Sequence, residues 1–208
     1  MRGFIFGAGS FYGLEERPTQ DDYIVAADGG YETCLLAGIT PSVVVGDFDS
    51  MAKPTDFPNI IQVPVEKDDT DSMLAIKLAL DKGCKEIYLY GVTGGDRLDH
   101  TIAAFQNLLY IRRCGAKGCV YDKGFCFTAI EAETVVLESH VEWGLLSIFA
   151  INGQADGVTI AGAQYTLDNG TLHPHIPMGV SNHFQGKPVT IGVKSGALLV
   201  GWELATTK

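Results

Sequence analysis

The chain has 208 residues, 46% hydrophobic and 19% charged, with a formal net charge of -10. Such a chain buries a core rather than staying disordered, and its length holds one large domain or two small ones. The acidic balance excludes a general electrostatic pull on nucleic acid or an anionic membrane. Taken in chain order, residues 3–6 form a short apolar strand running into Gly7-Ala8-Gly9-Ser10. A second strand at 23–27 ends at Asp28-Gly29-Gly30, and 31–37 reads as a helix stopped by Gly38. Strands at 42–45 and 60–63 follow. Residues 73–82 form a helix whose N-terminus Thr70, Asp71 or Ser72 can cap, with Gly83 at its end. A strand at 86–90 leads into Gly91-Val92-Thr93-Gly94-Gly95. Residues 98–113 form a long helix with Arg112 and Arg113 in its last turn, matching its dipole. A strand at 117–121 follows.

This alternation predicts a parallel sheet with helices on both faces, and ligands beyond the carboxyl ends of its strands. The pattern changes near residue 124. Short strand candidates at 125–130, 134–138, 145–151, 158–160, 164–167, 189–193 and 198–202 follow with no helical period. Turns such as Asn152-Gly153 and Asp168-Asn169-Gly170 separate several of them. The expected architecture is an α/β domain over 1–124 and an all-β sandwich or barrel over 125–208.

Three acidic motifs sit where apolar runs break into loops: Gly46-Asp47-Phe48-Asp49-Ser50, Asp68-Asp69-Thr70-Asp71-Ser72 and Gly94-Gly95-Asp96-Arg97-Leu98-Asp99-His100. Carboxylates crowded at strand ends repel one another without a cation, which points to Mg²⁺ and a phosphorylated substrate. Read singly, each motif has a plainer use. A lone Asp-x-Asp serves a solvated turn, and the second cluster serves as an N-cap group. Lys67 either neutralises a carboxylate, meets a phosphate or is solvated. Thr93-Gly94-Gly95 before a helix fits a phosphate cradle, and Arg97 adds a bidentate donor. The five cysteines are odd in number and form no CxxC pair. Neither a disulfide framework nor a zinc site is expected, and reduced core thiols in a cytoplasmic protein fit best. Residues 1–10 hold too short an apolar run for a signal peptide, and no stretch reaches membrane-span length.

The ordered set of Ala27-Asp28-Gly29-Gly30, Val45-Gly46-Asp47-Phe48-Asp49-Ser50, Lys67-Asp68-Asp69-Thr70-Asp71 and Gly94-Gly95-Asp96-Arg97-Leu98-Asp99-His100 resembles the thiamine pyrophosphokinase family. Leu146-Ser147-Ile148-Phe149, Gly157-Val158-Thr159, Gly179-Val180-Ser181-Asn182 and Gly196-Ala197-Leu198-Leu199-Val200 extend the likeness over nearly the whole chain. The resemblance implies a homodimer, with ATP and Mg²⁺ on the α/β domain and thiamine at the subunit interface. It implies transfer of the pyrophosphoryl group of ATP to the thiamine hydroxyl, with AMP released. Carried over by motif, Asp47, Asp49 and Asp71 would hold Mg²⁺, with Asp68 and Asp99 nearby. Asp28, Gly29, Gly30, Thr93, Gly94, Gly95 and Arg97 would contact the nucleotide, and Ser181 and Asn182 thiamine. His183 and Ala104 depart from the family, which often has an acidic residue and an Asn there.

Asp71 or Asp99 would accept the alcohol proton, and Arg97 would bind phosphate oxygens. Phe184 is the first candidate for an aromatic wall against the thiamine cation, with Trp202 and Trp143 as alternatives and Trp143 assigned rather to the core. Two other functions compete: a related pyrophosphokinase with a pterin-like hydroxymethyl acceptor, and a nucleotide or thiamine sensor without turnover.

Overall fold

The computed structural model describes residues 1–48, 57–138 and 143–205. The chain divides into two compact units, Met1–Lys123 and Gly124–Lys208. Among the described residues there are three helices, and the rest of the regular structure is strand. None of these helices is long and apolar enough to cross a membrane.

The first unit contains β1 (Arg2–Phe6), β2 (Tyr23–Ala27), α1 (Gly30–Leu36), β3 (Val43–Gly46), β4 (Ile60–Gln62), α2 (Asp71–Asp81), β5 (Glu86–Tyr90), α3 (Leu98–Arg113) and β6 (Lys117–Asp122). Its strands lie in the order β4-β3-β2-β1-β5-β6, and every pairing is parallel. Runs such as Tyr-Ile-Val-Ala-Ala in β2 are apolar on both faces, as a sheet covered on both sides requires. On one face Phe4, Phe6, Ile24, Ala26 and Val44 pack with Cys34 of α1. On the other, a Cβ at Gly3 would lie 3.1 Å from Ala79 of α2, and one at Gly118 would lie 2.9 Å from Leu108 of α3. Gly3 and Gly118 are both in register with Ile87, so α2 and α3 share that face.

No helix connects β1 to β2. Instead an aromatic ladder covers part of α1's face: Phe4 meets Tyr88, Tyr121 stacks on both Tyr88 and Tyr90, and Phe11 meets Phe6 and Tyr90. Tyr90 pins the connecting segment: its hydroxyl accepts the Glu16 N–H at 2.9 Å and donates to the Glu16 carbonyl at 3.3 Å.

The second unit contains β7 (Phe125–Glu131), β8 (Thr134–Leu137), β9 (Leu145–Ala161), β10 (Leu167–Leu172), β11 (Asn182–His183), β12 (Val189–Gly192) and β13 (Ser195–Glu203). Their pairings are antiparallel, in the order β7-β13-β9-β12-β8, with β10 and β11 also on β9. They enclose one core containing Leu146, Ile148, Val158, Phe184, Ile191, Leu198 and Val200.

Three details depart from the sequence reading. The segments 145–151 and 158–160 are one strand of 17 residues. Asn152 (φ 59) and Gly153 (φ 123) take left-handed backbone there, opposite a register shift between Ser195 and Ala197. The Asn-Gly pair makes a bulge in a continuing strand rather than a hairpin turn. The strand expected at 164–167 lies at Leu167–Leu172. Cys34, Cys84 and Cys126 are buried, and burial pushes the Cys34 thiol up to about 12, but Cys114 is exposed and Cys119 half-buried.

The N-terminus is tied to β2 by an ion pair. Arg2 Nη2 lies 2.6 Å from Asp22 Oδ2, and the Asp22 side chain is only 5% exposed. Burial alone would raise the Asp22 carboxyl. Hydrogen bonds from Arg2 and Thr19 outweigh it and hold the group well below the usual carboxylate range. We expect Asp22→Asn to lower unfolding free energy by about 2 kcal/mol at neutral pH, the scale of hydrogen bonds to a buried charge. A depressed folded-state pKa stabilises above the unfolded value and loses that contribution in acid. The wild-type advantage in urea titrations will therefore shrink as pH falls below about 4.

Candidate active site

In the first unit the chain order reverses beside β1, because β1 leads towards β2 while its other neighbour β5 leads towards β6. Such a switch point opens a crevice at the carboxyl ends of the strands. The loops leaving β1 and β5 are joined by backbone hydrogen bonds from Gly7 N to Tyr90 O (2.9 Å), Gly9 N to Gly91 O (2.6 Å) and Ser10 N to Thr93 O (2.8 Å). A Cβ at Gly9 would collide with the Thr93 carbonyl, so this seam admits no side chain there.

A cleft of about 570 Å³ opens beside the seam. Ala8, Gly9, Asp28, Asp47, Lys67 and Asp71 line it, with Gly94, Gly95, Arg97 and His100 further along the wall. Asp47 directly follows β3, and Phe48 turns away with φ 60 to pack against the core. Asp28 directly follows β2, also with positive φ, and donates its N–H to Val45 O. A Cβ at Gly46 would lie 3.0 Å from the Asp28 backbone, a contact tight enough that any larger residue would push the two strand ends apart slightly.

Asp71 is the first residue of α2, but Thr70 caps that helix by accepting the Met73 N–H at 3.2 Å. The Asp71 carboxylate is thereby left for the cleft. Lys67 bridges the two sides, with Nζ 2.5 Å from Asp47 Oδ2 and 3.1 Å from Asp71 Oδ1. Burial raises the Asp71 carboxyl above its ordinary value. Lys67 pulls it down, while the charges of Asp47 and Asp28 push it further up.

Arg97 sits just before α3 and grips Asp99 through Nε (3.0 Å) and Nη2 (2.7 Å). That pair holds the Asp99 carboxyl down to about 2. The Gly94 N–H donates to Thr101 Oγ1 at 3.1 Å. Thr93 is buried, and its hydroxyl makes no hydrogen bond among the described residues.

Of the expected metal ligands, Asp47 and Asp71 meet through Lys67, and Asp49 lies outside the described residues. Among the described residues no three acidic, Cys or His side chains already form a cation cage. The donor set nonetheless fits Mg²⁺, which takes one or two carboxylates and completes its shell with water and phosphate. An ammonium already bridges the two carboxylates, so a cation has a place there. Asp68 is exposed and Asp99 is not part of the cleft wall. Gly29 lines a second hollow of about 400 Å³ with Ala8, Phe11 and Glu32. Gly30 serves packing, since a Cβ there would overlap the Phe6 carbonyl.

In the second unit Asn182 is buried, and its amide clamps a turn. It accepts the Tyr165 N–H at 2.9 Å and donates to the Tyr165 carbonyl at 2.7 Å. Ser181 beside it is exposed, with φ 62. Phe184, expected as an aromatic wall, is 2% exposed inside the core, because strand alternation turns it inward with Asn182. A sealed ring offers no face to a ligand. Trp143, assigned to the core from sequence, is 58% exposed and stacks on His183 at 4.4 Å. Lys67 and Trp143 were the residues least legible in advance, being a lone cation in an acidic loop and a lone aromatic.

A parallel α/β sheet with an acidic, glycine-lined cleft at its switch point is the frame of a ligand-binding α/β protein. The sequence profile of the thiamin pyrophosphokinase catalytic domain matches residues 14–119, and that of the thiamin pyrophosphokinase vitamin B1 binding domain matches 134–198. The chain belongs to the thiamin pyrophosphokinase family. It is 28% identical over 186 residues to thiamine pyrophosphokinase of Bacillus subtilis, covering 85% of each chain. The crystal structure of the B. subtilis enzyme superposes with a TM-score of 0.84 at 23% identity, covering 98% of this chain and 99% of that one. That of thiamin pyrophosphokinase from Geobacillus thermodenitrificans gives 0.83 at 25%, covering 100% and 99%.

Truncating Phe184 to Ala should cost about 3–5 kcal/mol of stability, as for a large core side chain. Trp143→Ala should cost less than about 1 kcal/mol, an exposed aromatic stack. Parallel urea titrations of the two variants distinguish the core ring from the exposed one.

Proposed function

We propose that the chain transfers the pyrophosphoryl group of ATP to the hydroxyl of thiamine, giving thiamine diphosphate and AMP. Family membership supports this reading, and one observation carries it to the residues: the cleft where Asp47, Asp71 and Lys67 face the Gly94-Gly95 loop. In this reading 1–124 is an α/β catalytic domain for ATP and Mg²⁺, and 125–208 is a β-sandwich that binds thiamine. The protein acts as a cytoplasmic homodimer with thiamine at the subunit interface.

Asp47, Asp49 and Asp71 would hold Mg²⁺, which when bound would supply charge neutralisation for the phosphate oxygens and the AMP leaving group. Asp28, Gly94 and Gly95 line the cleft and face the nucleotide, while Gly29, Gly30 and Thr93, which are not part of its wall, shape the loops that carry them. Arg97 exchanges its exposed partner Asp99 for phosphate oxygens. That exchange is cheap, because both side chains are about two-thirds exposed and a surface pair is weak. The freed Asp99 or an oxygen of Asp71 then accepts the proton of the attacking alcohol. Ser181 and Asn182 belong to the thiamine side, where the exposed Trp143 ring replaces Phe184 as the aromatic surface for the cation.

The deciding experiment measures AMP formed from ATP and Mg²⁺ with and without thiamine, and the mass of the product. Thiamine-dependent AMP and a thiamine diphosphate mass are expected; AMP formation unaffected by thiamine would reject the reading. Asp71→Asn should lower turnover by about 100-fold or more while the melting temperature stays within a few degrees. Near-normal turnover in that variant would remove Asp71 from the mechanism.

A further inference from the structure

Lys67 enters the cleft from the loop before α2, with its side chain 15% exposed. Its ammonium has Asp47 from the end of β3 on one side and Asp71 from the first turn of α2 on the other. These are the carboxylates from which a divalent cation would take its protein ligands, so ammonium and metal draw on the same oxygens. Lys77 makes a useful contrast. It carries the same charge nearby, but its Nζ lies 2.6 Å from Asp69 and its side chain is 40% exposed.

Two facing carboxylates at 10% and 24% exposure repel strongly unless a cation stands between them. A lysine is suited to a temporary post of this kind, being a point charge on a flexible stem that readily changes partner. When metal takes the carboxylates, the displaced ammonium needs a new anion, and a polyphosphate in the same cleft provides one.

We propose that Lys67 is a built-in competitor for the metal position: it neutralises the Asp47–Asp71 pair in the metal-free protein and turns to the nucleotide polyphosphate on loading. The inference rests on the metal reading of this cleft. It adds a coupling: free divalent cation must evict the lysine, whereas cation arriving with a polyphosphate gives the lysine its new partner. Metal and nucleotide therefore favour each other's binding, and by linkage the effect is reciprocal.

The test is a Mn²⁺ titration followed by electron paramagnetic resonance on the full-length protein, with and without ATP and without thiamine. Lys67→Met should bind Mn²⁺ alone at least about tenfold more tightly than wild type, which corresponds to an ammonium holding the site about nine-tenths of the time. Lys77→Met should stay within about twofold of wild type, since mere loss of a nearby charge is not the mechanism. ATP should tighten Mn²⁺ binding less in Lys67→Met than in wild type, and the KM for ATP should rise in that variant. Affinity for metal and for nucleotide thus move in opposite directions, which a structural defect would not produce. Should Lys67→Met fail to fold, Lys67→Gln takes its place with the same expectation. Unchanged or weaker Mn²⁺ affinity in the Lys67 variant, or an equal gain in Lys77→Met, overturns the competitor. Absence of Mn²⁺ binding in both wild type and the Lys67 variant overturns the metal reading itself.

Discussion

Like charge gathered at one edge of a parallel sheet is the constraint on which the first unit turns. Ala27 and Val45 lie in register on neighbouring parallel strands. Asp28 therefore leaves β2 level with Gly46, Asp47 leaves β3 one residue further on, and α2 adds Asp71 to the cleft that both line. Repulsion among carboxylates with limited access to water is large unless a cation intervenes. Three local features serve this arrangement. Gly46 lets the two strand ends close up, Thr70 relieves Asp71 of the capping role, and Lys67 supplies the balancing charge. Each is intelligible only with the others in place.

The neutral wall of the cleft is built on a different principle. The seam between Gly7–Ser10 and Tyr90–Thr93 uses its own backbone groups to lock two loops together. It leads the chain into Gly94 and Gly95, both with positive φ. A Cβ on Gly94 would meet the Ser10 hydroxyl, so glycine is needed there for space as well as conformation. The Thr101 hydroxyl already takes the Gly94 N–H. The loop is thus held by the protein before any ligand arrives, which lowers the ordering cost of binding. Two cations then differ in kind: Arg97 sits in an exposed, easily exchanged pair, whereas Lys67 sits deep between two carboxylates.

Much of this was legible in the sequence, and the exceptions share a cause. The apolar runs of β2 and β3, the acidic motifs at strand ends and the long helix ending in Arg112-Arg113 each carry a pattern several residues long. Single residues carry none. Thr70, Asp71 and Ser72 are all competent caps, and only the helix geometry selects Thr70. Lys67 is a lone lysine until β3 and α2 bring Asp47 and Asp71 to it. Asn152-Gly153 satisfies the local rule for a hairpin, yet β13 continues alongside and converts it to a bulge. For the aromatics the alternation was available: in Asn182-His183-Phe184 a period of two sends Phe184 inward with Asn182.

Ser181, just ahead of β11, has left-handed backbone. A serine at φ 62 carries a conformational cost of about 1–2 kcal/mol that glycine would avoid. The neighbouring residues fix it in place. The Ser181 N–H meets Ser147 Oγ at 3.3 Å, a Cβ at Gly179 would strike the Ile148 carbonyl, and the Asn182 amide is anchored to both backbone groups of Tyr165. The buried Asn182 thus serves as the anchor, while Ser181 remains at the surface. Glycine would fit this backbone more comfortably but would carry no hydroxyl. Strain of this kind, over-determined by a buried polar clamp, is how a fold holds an exposed side chain in one place. In the proposed reading, the Ser181 hydroxyl and the exposed Trp143 indole both belong to the thiamine surface.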